Sequence, residues 1–296
     1  MDMNTVVFGA QVITIDLLLV FLIFFALRWL IGWVSHVDSM QELAVRDNAA
    51  FGISLTGSFI GVALMLTGVL EGDSQNDLLT ESLSVLAFGA LGIVLMLLAR
   101  KLFDHLSFPQ LSIHDLIMQN NVSAGIVDAG NVIASGLVIR AALIWTEGNW
   151  INSIAMVILA YVFSQGVLVL ATLWRARVYR KNNPEGELSD ALRDNNVALA
   201  LRFSGFRIAV ALMIGATAGL VPYSVGGMFL QTCWWALASV ACLPLLVLVS
   251  SLTVRGVLSG ISLSEEVDQQ HNVGVGAVEG SIYVAIGLLL TSLLSA

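Results

Sequence analysis

Six ionisable residues interrupt long apolar runs of this chain: Asp16, Asp128, Arg140, Arg202, Arg207 and Glu279. Carboxylates and guanidiniums in apolar surroundings serve one of two ends. They pair with one another and fix the register of helices, or they line a polar path for a cation, a proton or a small charged solute. Asp128 and Glu279 are the most informative. Each stands seven residues after an Asn in a matching frame, NVSAGIVDAG (121–130) and NVGVGAVEG (272–280). Seven residues is about two helical turns, so Asn121, Gly125 and Asp128 share a face, as do Asn272, Gly276 and Glu279. At 1.5 Å per residue both carboxylates lie roughly 10 Å into the helix.

Cations are placed to meet them. Arg202 follows Asn196 by six residues and reaches nearly the same depth, while Arg207 lies deeper, level with Asp16, and Arg140 lies nearer the opposite end. An unpaired charge at the centre of a bilayer costs roughly 3 kcal/mol on insertion scales, so pairing or hydration is expected. The sequence therefore predicts Arg202 bridging Asp128 or Glu279, and Asp16 meeting Arg207 or Arg140. The duplicated acids are expected at a shared inward location.

The elements that position these groups are membrane spans. Of 296 residues, 57% are hydrophobic and 11% charged, and the mean hydropathy is +0.88. Soluble domains carry about 25% charged residues. A span needs about 20 mostly apolar residues, and eight runs qualify, near 6–34, 48–70, 83–102, 121–145, 151–174, 196–221, 232–254 and 272–294. The lipid bilayer is thus the first partner. A net charge of -8 with no basic patch opposes nucleic acid as a second one.

Arg28, Arg46, Arg100, Lys101, Arg175, Arg177, Arg180, Lys181, Arg193 and Arg255 flank the connections between spans 1 and 2, 3 and 4, 5 and 6, and 7 and 8. The positive-inside rule makes those connections cytoplasmic. The remaining connections carry Glu71, Asp73, Asp77, Glu81 and Glu147, so they and both termini are expected outside. MDMNTVV lacks a basic n-region, which argues against a cleaved signal peptide. All seven Trp fall near predicted span ends, as an aromatic belt would place them. Cys233 and Cys242, nine residues apart on one helix, face opposite ways and predict no disulfide. The four His lack a ligand spacing, so neither a metal nor a cofactor is expected.

A unit repeats four times, in register on Asn48, Asn121, Asn196 and Asn272, with an acid six residues earlier in each: Glu42, Asp115, Asp190 and Glu266. Small residues follow at matching places. Gly52, Gly125 and Gly276 stand four after the Asn, and Gly57, Gly130, Gly205 and Ser281 nine after. Lipid supplies no hydrophobic drive for helices to associate, so close backbone approach at small residues supplies the packing. Spans 2, 4, 6 and 8 are therefore expected to form an inner ring. GSFIG, with Gly57 and Gly61, is read as bundle packing before homodimerisation. Pro244 is expected to kink span 7.

The expected fold is an all-α integral membrane protein of about eight transmembrane helices, built from four parallel two-helix repeats. Units pair alternately: GSFIGVALML (57–66) matches GFRIAVALMI (205–214). Two four-span halves result, 1–147 and 148–296, joined in TEGNW. Parallel repeats lack the inverted symmetry of many alternating-access carriers.

DNNVALALRFSG (194–205) and QHNVGVGAVEG (270–280) resemble the paired motifs of a bacterial inner-membrane family, domain of unknown function 350, the YjfL-like proteins. The first half departs from that pattern, with DNAAFGISLTG where a double Asn stands in the family and NNV in place of HNV. The resemblance implies two four-span units fused in a bacterial inner membrane, and it implies no reaction.

The expected function is a channel-like or transporter-like bundle for a small ion or charged solute. The rival is a non-transporting scaffold or sensor that binds a cytoplasmic or membrane partner, or a homo-oligomer. The repeated acids also have a plain structural account, as carboxylates meeting the positive end of a short interfacial helix. No GxSxG, HExxH or phosphate-loop motif suggests an enzyme.

Overall fold

The computed structural model describes residues 3–35, 37–71, 78–146, 150–184 and 186–294. His36, the acids Asp73, Asp77 and Glu147, and the proposed boundary between the halves lie outside the described residues. Apolar sequence leaves the backbone no solvent partner in lipid, and the chain satisfies it within helices. Those helices are α1 (Met3–Ser35), α2 (Ala49–Leu70), α3 (Leu78–Ser107), α4 (Ile113–Met118), α5 (Val122–Trp145), α6 (Trp150–Asn182), α7 (Leu188–Arg193), α8 (Val197–Ala218), α9 (Met228–Val257) and α10 (Val273–Leu294). Eight of them, all but α4 and α7, are long and apolar enough to cross a membrane. The short helices α4 and α7, and π-helical turns at Gln41–Val45 and Glu265–Gln269, precede α5, α8, α2 and α10 respectively.

The spans form two layers. In one, α2, α5, α8 and α10 lie side by side in that order and make by far the most extensive interfaces of the molecule. In the other, α1, α3, α6 and α9 follow one another, with α3 packed on α2 and α5, α6 on α5 and α8, and α9 on α8 and α10. The expected inner ring is instead an open row. Among the described residues α2 and α10 share no comparable interface and form its two edges.

The reason lies in a constant step between neighbours. The residue eight after the Asn packs on the Gly nine after the preceding Asn: Ala129 on Gly57, Ser204 on Gly130, Gly280 on Gly205. The residue four after the Asn packs on the one two after the preceding Asn, Gly125 on Ala50 and Gly276 on Ala198. A Cβ added at Gly57, Gly125, Gly130, Gly205 or Gly276 would meet the facing chain within 3.0 Å. Repeating such a step advances the row and does not close it. Two expected packing residues fall outside this pattern. Gly52 meets only Leu43 Cδ2 at 3.4 Å, and Ser281 is exposed, because each stands on an edge helix facing away from the row.

The repeated Asn is the device that sets the step. Its Oδ1 caps its own helix, accepting from the N–H of Phe51, Ala124, Leu199 or Val275. In the first three units its Nδ2 also donates forward to a carbonyl of the next unit: Asn48 to Ile117, Asn121 to Leu192 and Arg193, Asn196 to Val267. The preceding residue turns the chain in the left-handed region, at Asp47, Asn120, Asn195 and His271. Asn, Asp and His are the types that tolerate it best. Asn120 and Asn195 use that turn to reach back, their Oδ1 accepting from Ala50 N and Ser123 N of the unit before. The double Asn thus marks the two units with neighbours on both sides.

The Trp pattern needs one correction. Trp29, Trp33 and Trp234 are exposed as a belt requires, but Trp145 and Trp235 are buried against each other with ring centroids 4.9 Å apart. Their indole N–H groups donate to Val221 O and Ile214 O, so they close the end of the bundle. Pro244 sits within α9, which runs unbroken from Met228 to Val257.

Candidate functional site

Asp128 and Glu279 do not share a site. Each half holds its own carboxylate, and the two centres are built differently. Asp128, on α5, is buried and fully engaged. Its Oδ1 accepts from Arg100 Nε at 3.1 Å, and its Oδ2 from Arg100 Nη2 at 2.8 Å and Ser54 Oγ at 2.5 Å. Arg100 Nη2 also donates to Ser58 Oγ at 2.7 Å. This is a two-pronged guanidinium–carboxylate pair between α3 and α5, braced by two hydroxyls of α2. Both Asp128 oxygens and the Arg100 Nε and Nη2 are thus engaged within the centre.

The second centre is larger and less complete. Arg202 on α8 donates from Nη2 to Asp268 Oδ1, and its Nη1 lies 3.8 Å from Glu279 Oε2. Asp268, from the Glu265–Gln269 turn, also accepts from Asn183 Nδ2 at 3.2 Å and Ser264 Oγ at 3.1 Å. Glu279 is 5% exposed and Arg202 7%. Even so, Glu279 Oε2 and Arg202 Nε are buried without a hydrogen-bond partner. Buried polar atoms are nearly always bonded, and these two are exceptions within a single ion-pair cluster.

Beside them lies a cleft of ≈ 240 Å³ at the Asn-capped end of the bundle, walled by α6, α8, α9, α10 and the segment ending at Asp268. One water needs roughly 10–15 Å³ of such space. Arg175, Arg202, Arg255, Asp268, Glu279 and Tyr283 line it. The Arg175 guanidinium lies over the rings of Phe206 and Tyr283, 5.1 and 5.7 Å from their centroids, and donates to Tyr283 Oη at 3.4 Å. Among the described residues it makes no ion pair, so three guanidiniums face two carboxylates. The cleft can hold a small charged or zwitterionic solute, or a hydrated ion.

The other intramembrane charges are occupied elsewhere. Arg207, 2% exposed, donates to Asn131 Oδ1 from Nε and Nη2 at 3.1 and 2.7 Å, and to Thr172 Oγ1 at 2.7 Å. It also lies 4.4 Å from the Phe103 ring centroid. Neutral oxygens and a ring face hold this cation, because α5 and α6 present the oxygens and α3 the ring at its depth. Arg140 reaches outward to Thr67 Oγ1 and Glu71 Oε2, at 2.9 and 2.5 Å. Both cations expected to meet Asp16 have other partners, and Asp16 lies half-buried on α1. Of the two carboxylates expected for Arg202, Asp128 is taken by Arg100, and Glu279 is the one that stands beside Arg202.

Sequence reasoning missed Arg100, Arg175 and Asp268. Arg100 and Arg175 read as loop charges near span ends, but α3 and α6 run on to Ser107 and Asn182 and carry both side chains into the bundle. Counting 1.5 Å per residue back from the ends of those extended helices is the signal that places them at carboxylate depth. The repeated acids diverge. Glu42 and Glu266 accept from the cap amides of Asn48 and Asn272, at 3.0 and 2.7 Å, whereas Asp115 and Asp190 sit exposed in the first turns of α4 and α7.

Fold and charge centres together define a multi-pass helical membrane protein of eight candidate spans in two similar halves. The family described as Domain of Unknown Function (DUF350) matches residues 5–143 and again 149–294, so the chain belongs to that family and carries two copies of its domain. No curated protein and no solved structure matches it.

Proposed function

We propose that the protein handles a small ion or charged solute at the cleft around Glu279 and Arg202, in a transporter-like or channel-like role, and that the Asp128 centre is its structural counterpart. The observation that carries this reading is the pair of buried, unbonded atoms, Glu279 Oε2 and Arg202 Nε, beside a cleft that already supplies Arg175 and Arg255. Buried charge is expensive unless fully satisfied, so a charged or polar group entering the cleft would gain by bonding to these atoms. The cleft lies at the end of the bundle where the Arg- and Lys-bearing connections lie. The positive-inside rule supports a cytoplasmic placement of that end with both termini outside, and the family resemblance supports a bacterial inner membrane. No motif supports an enzymatic role. A second reading, a non-transporting scaffold, is favoured by the backbone-close row α2–α5–α8–α10, which has no room for a path between its members. Flux of alkali, proton and small organic ions into proteoliposomes, compared between the parent and Glu279→Gln, tests the proposal. Altered flux with near-normal thermal stability supports it. Unchanged flux with lost stability assigns Glu279 to the scaffold reading.

A further inference from the structure

The row of four helices ends at two edges that fit each other. Three internal interfaces repeat one geometry, in which one helix offers the residues two, nine and thirteen after its Asn. These are Ala50, Gly57 and Gly61 on α2, and Ala198, Gly205 and Ala209 on α8. The next helix seats on them the residues four, eight and fifteen after its own Asn, such as Gly125, Ala129 and Gly136 on α5. On α10 the offering residues are Gly274, Ser281 and Ala285, and all three are exposed. On α2 the seating residues are Gly52, Thr56 and Ala63, none of which is buried.

The hydrogen-bonding groups of the two edges match as well. Asn48 and Asn272 both donate from Nδ2 to the acid of their own unit, Glu42 and Glu266, but Asn48, like Asn121 and Asn196, also donates forward, and among the described residues Asn272 does not. The segment that would receive it, Leu43–Val45, leaves Leu43 and Val45 exposed, the latter at 77%, whereas Ile117, Leu192 and Val267 at the equivalent level are buried. Asp47 occupies the left-handed position from which Asn120 and Asn195 reach back, and it carries carboxylate acceptors for the exposed Gly274 N–H.

We propose that copies of this chain associate head to tail in the membrane, α10 of one against α2 of the next, continuing the internal repeat across the interface. Such a contact is heterologous, and it closes into a ring or extends according to the rotation per copy. Small residues and interhelical hydrogen bonds are what drive helix association in lipid.

The test uses the full chain with Cys233 and Cys242 replaced by Ala. Two differently tagged copies, one Ser281→Cys and one Thr56→Cys, are co-expressed and oxidised in native membranes. A crosslink between the two tags is expected, and none when Thr56→Cys is replaced by Leu22→Cys on an exposed face of α1. Ser281→Trp, and independently Thr56→Trp, should reduce the particle mass in nanodiscs to one chain while leaving the unfolding temperature unchanged, since both positions are exposed. A crosslink no stronger than the Leu22 control, or a monomer in the parent nanodiscs, overturns the proposal. Oligomers that survive both Trp variants overturn it too.

Discussion

Arg100 on α3 and Arg202 on α8 stand beside the equivalent carboxylates Asp128 and Glu279 from different helices. The helices α3 and α9 each have 30 residues, starting at Leu78 and Met228, so Arg100 corresponds to Ser250. The helices α2 and α8 each have 22, starting at Ala49 and Val197, so Ser54 corresponds to Arg202. One half therefore reads Arg100 with Ser54, and the other Ser250 with Arg202. Each half keeps one Arg beside its acid and a hydroxyl where the other half keeps the Arg.

That exchange predicts a rescue. Arg100→Ser strands the buried Asp128 carboxylate and should cost about 3 kcal/mol, as for breaking a buried ion pair. Adding Ser54→Arg should recover more than half of it, measured by thermal unfolding in detergent. A double variant no more stable than Arg100→Ser would refute the equivalence.

Close helix approach is the second test. A Cβ at Gly205 would meet the Gly280 backbone within 3.0 Å, so Gly205→Ala should destabilise by about 1–3 kcal/mol through overpacking. Gly52→Ala has only the flexible end of Leu43 nearby, and should be neutral or stabilising by up to roughly 1 kcal/mol. Equal effects at the two positions in a denaturation series would contradict the open row.

The cap Asn residues should differ in importance by their neighbours. Asn121→Ala loses a cap and two donors to α7, for a cost of about 2–3 kcal/mol. Asn272→Ala loses a cap and a donor within its own exposed unit, for about 1 kcal/mol. Urea or SDS titration of the two variants distinguishes them, and the reverse order would remove the forward bond from the account.

Orientation is tested by accessibility. In the background without Cys233 and Cys242, a Cys replacing exposed Leu220 should react with an impermeant thiol reagent in intact cells, and one replacing exposed Lys181 should react only after lysis. The opposite pattern would invert the topology.

Much of the fold was legible because lipid simplifies the code. Apolar runs gave the eight candidate spans, and the Asn frame gave four units, since capping and small-residue packing act locally and leave local marks. The ends of α3 and α6 were misread, because charged residues can extend a helix past its apolar run. That error hid Arg100 and Arg175. The partner of each carboxylate was not legible either. Depth along a helix can be counted from sequence, but which of two neighbouring helices supplies the Arg depends on their rotation, and the answer differs between the halves. The open row escaped notice for a related reason, since a repeat shows how units resemble each other and not the angle of the step between them.

The most direct measurement compares Glu279→Gln with Asp128→Asn in the same proteoliposomes, reading solute or ion flux and thermal stability together. Glu279→Gln leaves Arg202 its Asp268 partner and strands no buried charge, so stability should fall by much less than for Asp128→Asn while flux changes. Asp128→Asn removes the carboxylate paired with Arg100, so stability should fall by about 3 kcal/mol, with the flux of the folded fraction retained. If Glu279→Gln instead loses stability with unchanged flux, or if the two variants behave alike, the second-half cleft is not a solute site and the central claim fails.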